Sequence, residues 1–143
     1  MKEGNYLVRI RIFEASDLKP IQATGSCDTF VVVEALGIRQ KTAVKKMTTS
    51  PLYDKSFNFE FPNMDKHKLE NAKIKVEVWE YYRFLPNELL GSYEVDLTSV
   101  YYKPYHQFYR VRLSIPRIQR GIIFGTIERL TRVDMVHDRR SNG

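Results

Sequence analysis

The stretch Tyr6-Leu7-Val8-Arg9-Ile10-Arg11-Ile12-Phe13 decides the fold prediction, because its side chains alternate with a period of two. One row is wholly apolar, and the other row carries two arginines. Successive side chains of a β-strand point to opposite faces, so this pattern predicts a strand with one buried and one solvent-facing side. The polar stretch Glu14-Ala15-Ser16-Asp17 then ends the strand.

The same alternation recurs along the chain. Phe57, Phe59 and Phe61 are separated by polar residues, and apolar residues alternate with charged ones from Lys73 onward. No helical run is long enough to connect parallel strands. We therefore predict an all-β protein, an eight-stranded antiparallel β-sandwich. Its strands are expected at residues 6–13, 29–36, 38–46, 57–61, 73–78, 89–97, 106–113 and 122–133, with Pro62 ending the fourth and a helical turn within residues 63–72.

Composition limits the class of protein. The 143 residues fit one domain, and 43% hydrophobic content with 13% aromatics is typical of a packed core. No apolar run approaches the roughly 18 residues that a membrane span needs, and no secretory signal is visible. A single cysteine, Cys27, excludes an internal disulfide and is typical of a reducing compartment. We expect a cytoplasmic protein at the cytosolic face of membranes.

The positive charge is concentrated at one end of the sequence. Residues 1–102 hold 14 basic and 14 acidic residues, whereas residues 103–143 hold nine basic and three acidic, which is the whole net charge of +6. A basic surface attracts anionic lipid, acidic protein or nucleic acid, or it only aids solubility. Nucleic acid is the least expected partner, because no pattern of stacking aromatics is found. Residues 1–135 are predicted to form the domain, and residues 136–143 a flexible basic tail.

Four motifs in order resemble those of C2 domains. They are Leu7-Val8-Arg9-Ile10 with Ala15-Ser16-Asp17-Leu18, Ser26-Cys27-Asp28-Thr29-Phe30-Val31, Ser50-Pro51-Leu52-Tyr53 with Phe57-Asn58-Phe59-Glu60-Phe61, and Val78-Trp79-Glu80 with Leu90-Gly91. The resemblance covers residues 6 to 133. It implies a C2 domain of type II topology, since no strand precedes Tyr6 and one follows residue 113.

A narrower resemblance points to the ferlins. Leu90-Gly91-Ser92-Tyr93, Val100-Tyr101 and Lys103-Pro104-Tyr105-His106 are similar to the end of an N-terminal, second-like C2 domain of that family. Ferlins are large, tail-anchored proteins with several C2 domains that act in vesicle fusion and exocytosis. The resemblance implies that this domain is part of a longer protein.

The resemblance also implies where calcium would bind. The five ligand positions fall on Gln22, Asp28, Glu80, Tyr82 and Glu88. Two of these residues have no carboxylate, and fewer anionic ligands weaken calcium binding by orders of magnitude. We expect a degenerate site of Asp28, Glu80 and Glu88 that holds no calcium under physiological conditions. No other cofactor is expected. Lys19 or Arg83 is expected to offset the remaining acidic charge.

Three surfaces are candidates for binding. Apolar loop tips could enter a bilayer interface, or pack on a neighbouring domain. The basic face of strands three and five resembles the phosphoinositide site of C2 domains, although Glu34 and Glu77 interrupt it. A second basic face is expected on the opposite sheet. The tips are Ile21, Phe84 and Leu85; the first face is Arg39, Lys41, Lys45, Lys46, Lys73 and Lys75; the second is Arg9, Arg11, Arg110, Arg112 and Arg129.

Enzyme chemistry finds no support in the sequence. The three histidines, His67, His106 and His137, are scattered, and no phosphate loop or zinc spacing occurs. The predicted function is therefore calcium-independent docking to anionic, phosphoinositide-containing membranes. Two alternatives remain open: a module that packs on a protein partner or on other domains of the parent protein, and a weak calcium-dependent phospholipid sensor.

Overall fold

A computed structural model describes residues 3–18, 27–101, 109–112 and 122–133. Most of these residues form strands, in agreement with the all-β prediction. None of the helices among the described residues is long and apolar enough to cross a membrane. The elements in chain order are β1 (Gly4–Ser16), β2 (Thr29–Ala35), β3 (Ile38–Lys41), β4 (Leu52–Met64), α1 (Lys66–Asn71), β5 (Lys73–Glu80), β6 (Glu88–Asp96), α2 (Leu97–Tyr101), β7 (Tyr109–Arg112) and β8 (Ile122–Val133).

The strands form two antiparallel sheets of four. Sheet 1 has the order β4-β1-β8-β7, and sheet 2 has the order β3-β2-β5-β6. The C-terminal strand β8 lies between β1 and β7, which is the arrangement that the type II prediction requires. The predicted eight-stranded antiparallel β-sandwich is confirmed.

The core lies where the apolar rows of the two sheets meet. Val8, Ile10 and Phe59 in sheet 1 are at most 2% exposed, and Val31 and Val33 in sheet 2 are fully buried. These residues belong to the alternating rows that predicted the strands. Burial of such rows, at about 25 cal/mol per Å² of apolar surface, supplies the main favourable free energy of folding.

Several strand boundaries differ from the prediction. Strand β1 continues past the expected end at Phe13 to Ser16, because Ala15 and Ser16 still pair with Ile123 and Ile122 of β8. The larger differences are in the third and fourth strands. The third strand ends at Lys41, because the Oγ1 of Thr42 accepts a bond from the Val31 backbone N–H and interrupts regular pairing. The fourth strand begins at Leu52 and continues through Pro62 to Met64. Proline is tolerated there because β4 is an edge strand, where a missing N–H need not break a ladder.

Of the two helices in the described residues, one was predicted and the other was not. The turn expected within residues 63–72 is α1, with Leu69 buried and the Asp65 side chain accepting the Lys68 N–H at 2.8 Å. Helix α2 was not predicted. Its Leu97 and Val100 are both fully buried, but five residues are too few to show a helical period.

A side chain bridges β3 and β4, which are edge strands of the two different sheets. Gln40 of β3 donates its Nε2–H to the backbone carbonyl of Asn58 in β4 at 2.9 Å. Strand β4 also contains two non-glycine residues with left-handed backbone, Asp54 (φ 47°) and Asn63 (φ 51°). The outer edge of sheet 1 is therefore irregular at both ends and bridged near its middle.

Gly125 is expected to tolerate no side chain. A Cβ at this position would lie 2.8 Å from the backbone carbonyl oxygen of Arg11 and 3.2 Å from the Ile12 side chain. Because a backbone atom cannot move aside without disturbing the β1–β8 ladder, we expect Gly125→Ala to lower the free energy of unfolding by about 1–3 kcal/mol. Urea denaturation measures this. A Gly125→Ala protein as stable as the parent would contradict the expectation.

Candidate functional site

One end of the sandwich is organised around Asp28. Its carboxylate Oδ1 accepts the Met47 backbone N–H at 2.8 Å, and its carbonyl oxygen accepts the Tyr81 N–H at 2.7 Å. Cys27 adds a further bond, since its carbonyl accepts the Thr48 N–H at 3.1 Å. Segments 42–51 and 81–87 are thus held against the same two residues. We call these two segments, with Cys27 and Asp28 between them, the loop end.

The loop end exposes large apolar side chains. Phe84 is 87% exposed and Leu85 is 55% exposed, in line with their prediction as loop tips. The third predicted tip, Ile21, lies outside the described residues. Met47 is 79% exposed, and it was not among the predicted tips because a lone methionine between a strand and a loop carries no periodic signal.

The basic residues of the loop end form no ion pair among the described residues. Segments 42–51 and 81–87 contain Lys45, Lys46 and Arg83 and no aspartate or glutamate. None of these three forms an ion pair within the described part of the chain. Arg83 was expected to offset the acids of the calcium positions, but its guanidinium lies over the Phe84 ring, 5.2 Å from the centroid. The loop end therefore combines exposed apolar tips with positive charge.

The calcium positions are only partly brought together. Glu80 and Glu88 are paired across β5 and β6, and Glu80 is 2% exposed. The Tyr82 hydroxyl donates to Glu88 Oε2 at 3.3 Å. The pKa of Tyr82 is raised by its partial burial and by these two carboxylates. Within the residues that the structure describes, no group of three or more His, Cys, Asp or Glu side chains could hold a metal ion.

Asp28 has another contact in this structure, and two further residues of the predicted calcium site and its surroundings lie outside the described part of the chain. Asp28 uses one carboxylate oxygen to bind the Met47 N–H, as described above. Gln22 and Lys19 both lie outside the described residues. A tyrosine hydroxyl thus lies beside Glu88, at one of the five positions where the family resemblance implies a carboxylate ligand.

Cys27 is a buried free thiol next to this cluster. Burial, together with the negative charges of Glu80 and Asp28, raises the pKa of the thiol to about 12. A thiol with this pKa stays protonated at neutral pH and is a poor nucleophile. The neighbouring Thr29 and Tyr53 hydroxyls share a buried hydrogen bond of 2.5 Å.

The outer face of sheet 2 carries four of the six residues of the first predicted basic face. Strand register places them among an equal number of acidic residues. Glu77 accepts a bond from Arg39 at 2.9 Å and lies 3.7 Å from Lys75 Nζ, and Lys73 lies 3.3 Å from Glu94. The basic members are Arg39, Lys41, Lys73 and Lys75, and the acidic members are Glu34, Glu77, Glu94 and Asp96.

Contrary to the prediction, Lys45 and Lys46 do not belong to this face. Regular pairing ends at Val32↔Lys41, and an isolated bridge then joins Thr29 to Lys45. One extra residue therefore lies in the third strand between these pairs. As a result, Lys45 falls on the opposite face of the sheet from the one that strict alternation predicts. Lys45 lies opposite the inward-facing Thr29, and both lysines belong to the loop end.

Strand register places the residues of the second predicted basic face on β1, β7 and β8 of sheet 1. Arg9 lies directly opposite Arg129 across the β1–β8 pair. Arg112 lies opposite Ile122, near the loop end, with Arg110 two residues before it in β7. Arg11 is 2.5 Å from Asp54 and stacks on Phe13 at 4.8 Å, so part of its charge is already offset.

Comparison with known proteins identifies the class. A family model for the C2 domain matches residues 6–111. The chain belongs to the C2 domain family and is a binding module of that class.

Particular relatives follow from the same comparison. The chain is 28% identical to the eye isozyme of protein kinase C from Drosophila melanogaster, over 98% of this chain and 20% of the relative. It is 28% identical to Ferlin 2 of Tetrahymena thermophila, over 85% of this chain and 7% of the relative. The predicted ferlin resemblance is confirmed at this level. The chain spans one fifth or less of the length of these relatives.

A solved structure supports the fold. A structure of Extended-Synaptotagmin 2 that contains two of its C2 domains superposes with a TM-score of 0.75 at 18% identity, over 92% of this chain and 41% of that one. At this identity the match establishes the architecture only.

Proposed function

We propose that this C2 domain is a non-enzymatic module that docks on anionic membranes at the cytosolic face, without calcium, as part of a ferlin-like protein of vesicle traffic. One observation carries the proposal: the loop end presents Phe84 and Leu85 to solvent beside Arg83, Lys45 and Lys46, with no acidic residue in either segment. Apolar side chains enter the interfacial region of a bilayer, and each nearby basic residue adds about 1 kcal/mol on an anionic surface.

The calcium-independent part of the proposal rests on the state of the carboxylates. Calcium needs six to eight oxygen ligands, mostly from carboxylates. Here Asp28 bonds to Met47 and Glu88 bonds to Tyr82. The apolar tips and the basic residues of the loop end are already exposed without an ion, so docking needs no calcium to complete the surface.

A phosphoinositide preference would use the outer face of sheet 2. Lys41 is the base on this face that is held by no carboxylate among the described residues; its ammonium lies 5.9 Å from the Phe30 ring centroid. A multiply charged headgroup competes with Glu77 and Glu94 for Arg39, Lys73 and Lys75. We propose that such headgroups add affinity there, second to the loop end.

Vesicle flotation in calcium and in chelator tests the proposal. We expect binding to phosphatidylserine vesicles, none to neutral vesicles, weaker binding at high salt, and equal binding with calcium or chelator. Millimolar calcium should shift the melting temperature by less than about 1 °C, because an ion that does not bind cannot stabilise the fold. Binding that appears only with calcium, or that is equal on neutral vesicles, would contradict the proposal.

A matched pair of vesicles tests the phosphoinositide preference. The two compositions carry the same surface charge, supplied by phosphatidylserine in one and by a phosphoinositide in the other. Tighter binding to the phosphoinositide vesicles supports a headgroup site on sheet 2 if this gain in affinity is lost in Lys41→Ala. Equal binding to both shows that only the loop end and its charge matter.

A protein partner is a second candidate function. The equal numbers of bases and acids on the outer face of sheet 2 favour it, because a face of balanced charge is not drawn to an anionic bilayer. In this case a protein or another domain of the parent covers sheet 2. Such a partner would shield the outer face of sheet 2 from solvent and would leave vesicle binding at the loop end unchanged.

A further inference from the structure

Met47 has an unusual backbone that turns its side chain into solvent. Its φ of 57° lies in the left-handed region, which costs a non-glycine residue about 1–2 kcal/mol. Its side chain nonetheless buries little, since the residue is 79% exposed. The conformation therefore contributes no packing to the core, and it is held by the hydrogen bond from the Met47 N–H to the Asp28 carboxylate.

Asp28 makes a second contact that fixes where this side chain lies. Its carbonyl accepts the N–H of Tyr81, the first residue of the segment that carries Phe84 and Leu85. One residue thus holds the Met47 segment with its side chain and the Phe84 segment with its backbone. The two sets of exposed apolar side chains lie at the same end of the sandwich, and Asp28 links the segments that carry them.

The charge around Met47 identifies the surface that would cover it. Lys45 and Lys46 precede it directly, and Arg83 lies in the other segment. An acidic residue near Met47 would be repelled by an anionic bilayer, but the segment contains none. The Asp28 carboxylate does contact the segment, where it accepts the Met47 N–H. Lys45, Lys46 and Arg83 form no ion pair among the described residues, and exposed apolar area beside such basic residues is complementary to an anionic bilayer interface.

We infer that Met47 is a third membrane-inserting side chain and that Asp28 is a positioning residue that holds it beside Phe84 and Leu85. This inference rests on the proposed docking of the loop end. It assigns Asp28, a position where calcium-binding relatives would use a ligand, to joining two loops.

Fluorophore labels at single cysteines distinguish this inference from the proposed function. In a Cys27→Ala background, the label is placed at Met47→Cys, at Phe84→Cys or at Ile38→Cys, which is exposed at the opposite end of the sandwich. We expect lipid-borne quenchers to quench the labels at 47 and 84, but not at 38, on phosphatidylserine vesicles. Quenching at 84 without quenching at 47 overturns the inference alone. No quenching at either position overturns the proposed function as well.

Substitutions test the role of each residue. We expect Met47→Gly to bind the vesicles about tenfold more weakly, for lost apolar insertion, although glycine suits the left-handed backbone and keeps the fold stable. Asp28→Asn and Asp28→Ala remove the same negative charge, so the difference between them reports the hydrogen bond alone: we expect Asp28→Ala to bind more weakly than Asp28→Asn, because the amide oxygen still accepts the Met47 N–H. All binding is measured in chelator. Unchanged affinity in Met47→Gly, or equal losses in Asp28→Asn and Asp28→Ala, overturns the inference even where melting temperatures are unaltered.

Discussion

Replacing Phe84 and Leu85 together with alanine is expected to weaken binding to phosphatidylserine vesicles by roughly 30- to 150-fold, because about 1–1.5 kcal/mol of insertion is lost per side chain. Both side chains are mostly exposed, at 87% and 55%, so their removal leaves no cavity in the core. The dissociation constant from vesicle titration should therefore change while the urea midpoint stays the same.

The control for this double variant is Ile38→Ala. Ile38 is also apolar and 51% exposed, but it begins β3 at the opposite end of the sandwich. A general loss of surface hydrophobicity would weaken binding in both proteins, whereas docking by the loop end weakens it only in the double variant. Vesicle affinity within about twofold of the parent, when Phe84 and Leu85 are both alanine, would refute insertion of the tips.

Phe59→Ala should have the largest effect on stability. Phe59 is 1% exposed, on β4 between the equally buried Phe57 and Phe61. Truncating a buried phenylalanine removes its transfer free energy and leaves a cavity, which together cost about 3–5 kcal/mol. Because domains of this size are typically stable by about 5–15 kcal/mol, the variant is expected to be close to unfolding at body temperature.

The neighbouring residue supplies the matched control for Phe59. Asn58→Ala changes an exposed side chain on the same strand and keeps the backbone carbonyl that binds Gln40. In urea denaturation, Asn58→Ala should change the free energy of unfolding by no more than about 0.5 kcal/mol, with the same dependence on urea concentration as the parent. A loss below about 1 kcal/mol in Phe59→Ala would mean that the three phenylalanines do not form one packed layer.

The sandwich could be predicted because its signal is local. Alternation from Tyr6 to Phe13 and from Phe57 to Phe61 fixes which face of each strand is buried. The ends of strands depend instead on contacts that are distant in sequence. The bond from the Val31 N–H to the Thr42 hydroxyl shortens β3, and it has no counterpart in any periodic pattern.

The candidate site was predictable only in part, for the same reason. Phe84 and Leu85 could be found because they stand outside any buried row. Met47 could not, since its exposure follows from a backbone angle and from a bond to Asp28 that lies 19 residues away. The pairing of Arg39 with Glu77 also joins separate strands, so a row of bases in the sequence did not reveal how much of its charge is offset.

The bridge from Gln40 to the Asn58 carbonyl has a consequence for self-association. An unpaired edge strand is a template on which a second copy can extend the sheet, and this growth is a common route to aggregation. The outer edge of β4 has an occupied carbonyl at its middle, a proline near its end and kinks at Asp54 and Asn63. Strand β4 is therefore a poor template on which a second copy of this chain could extend sheet 1.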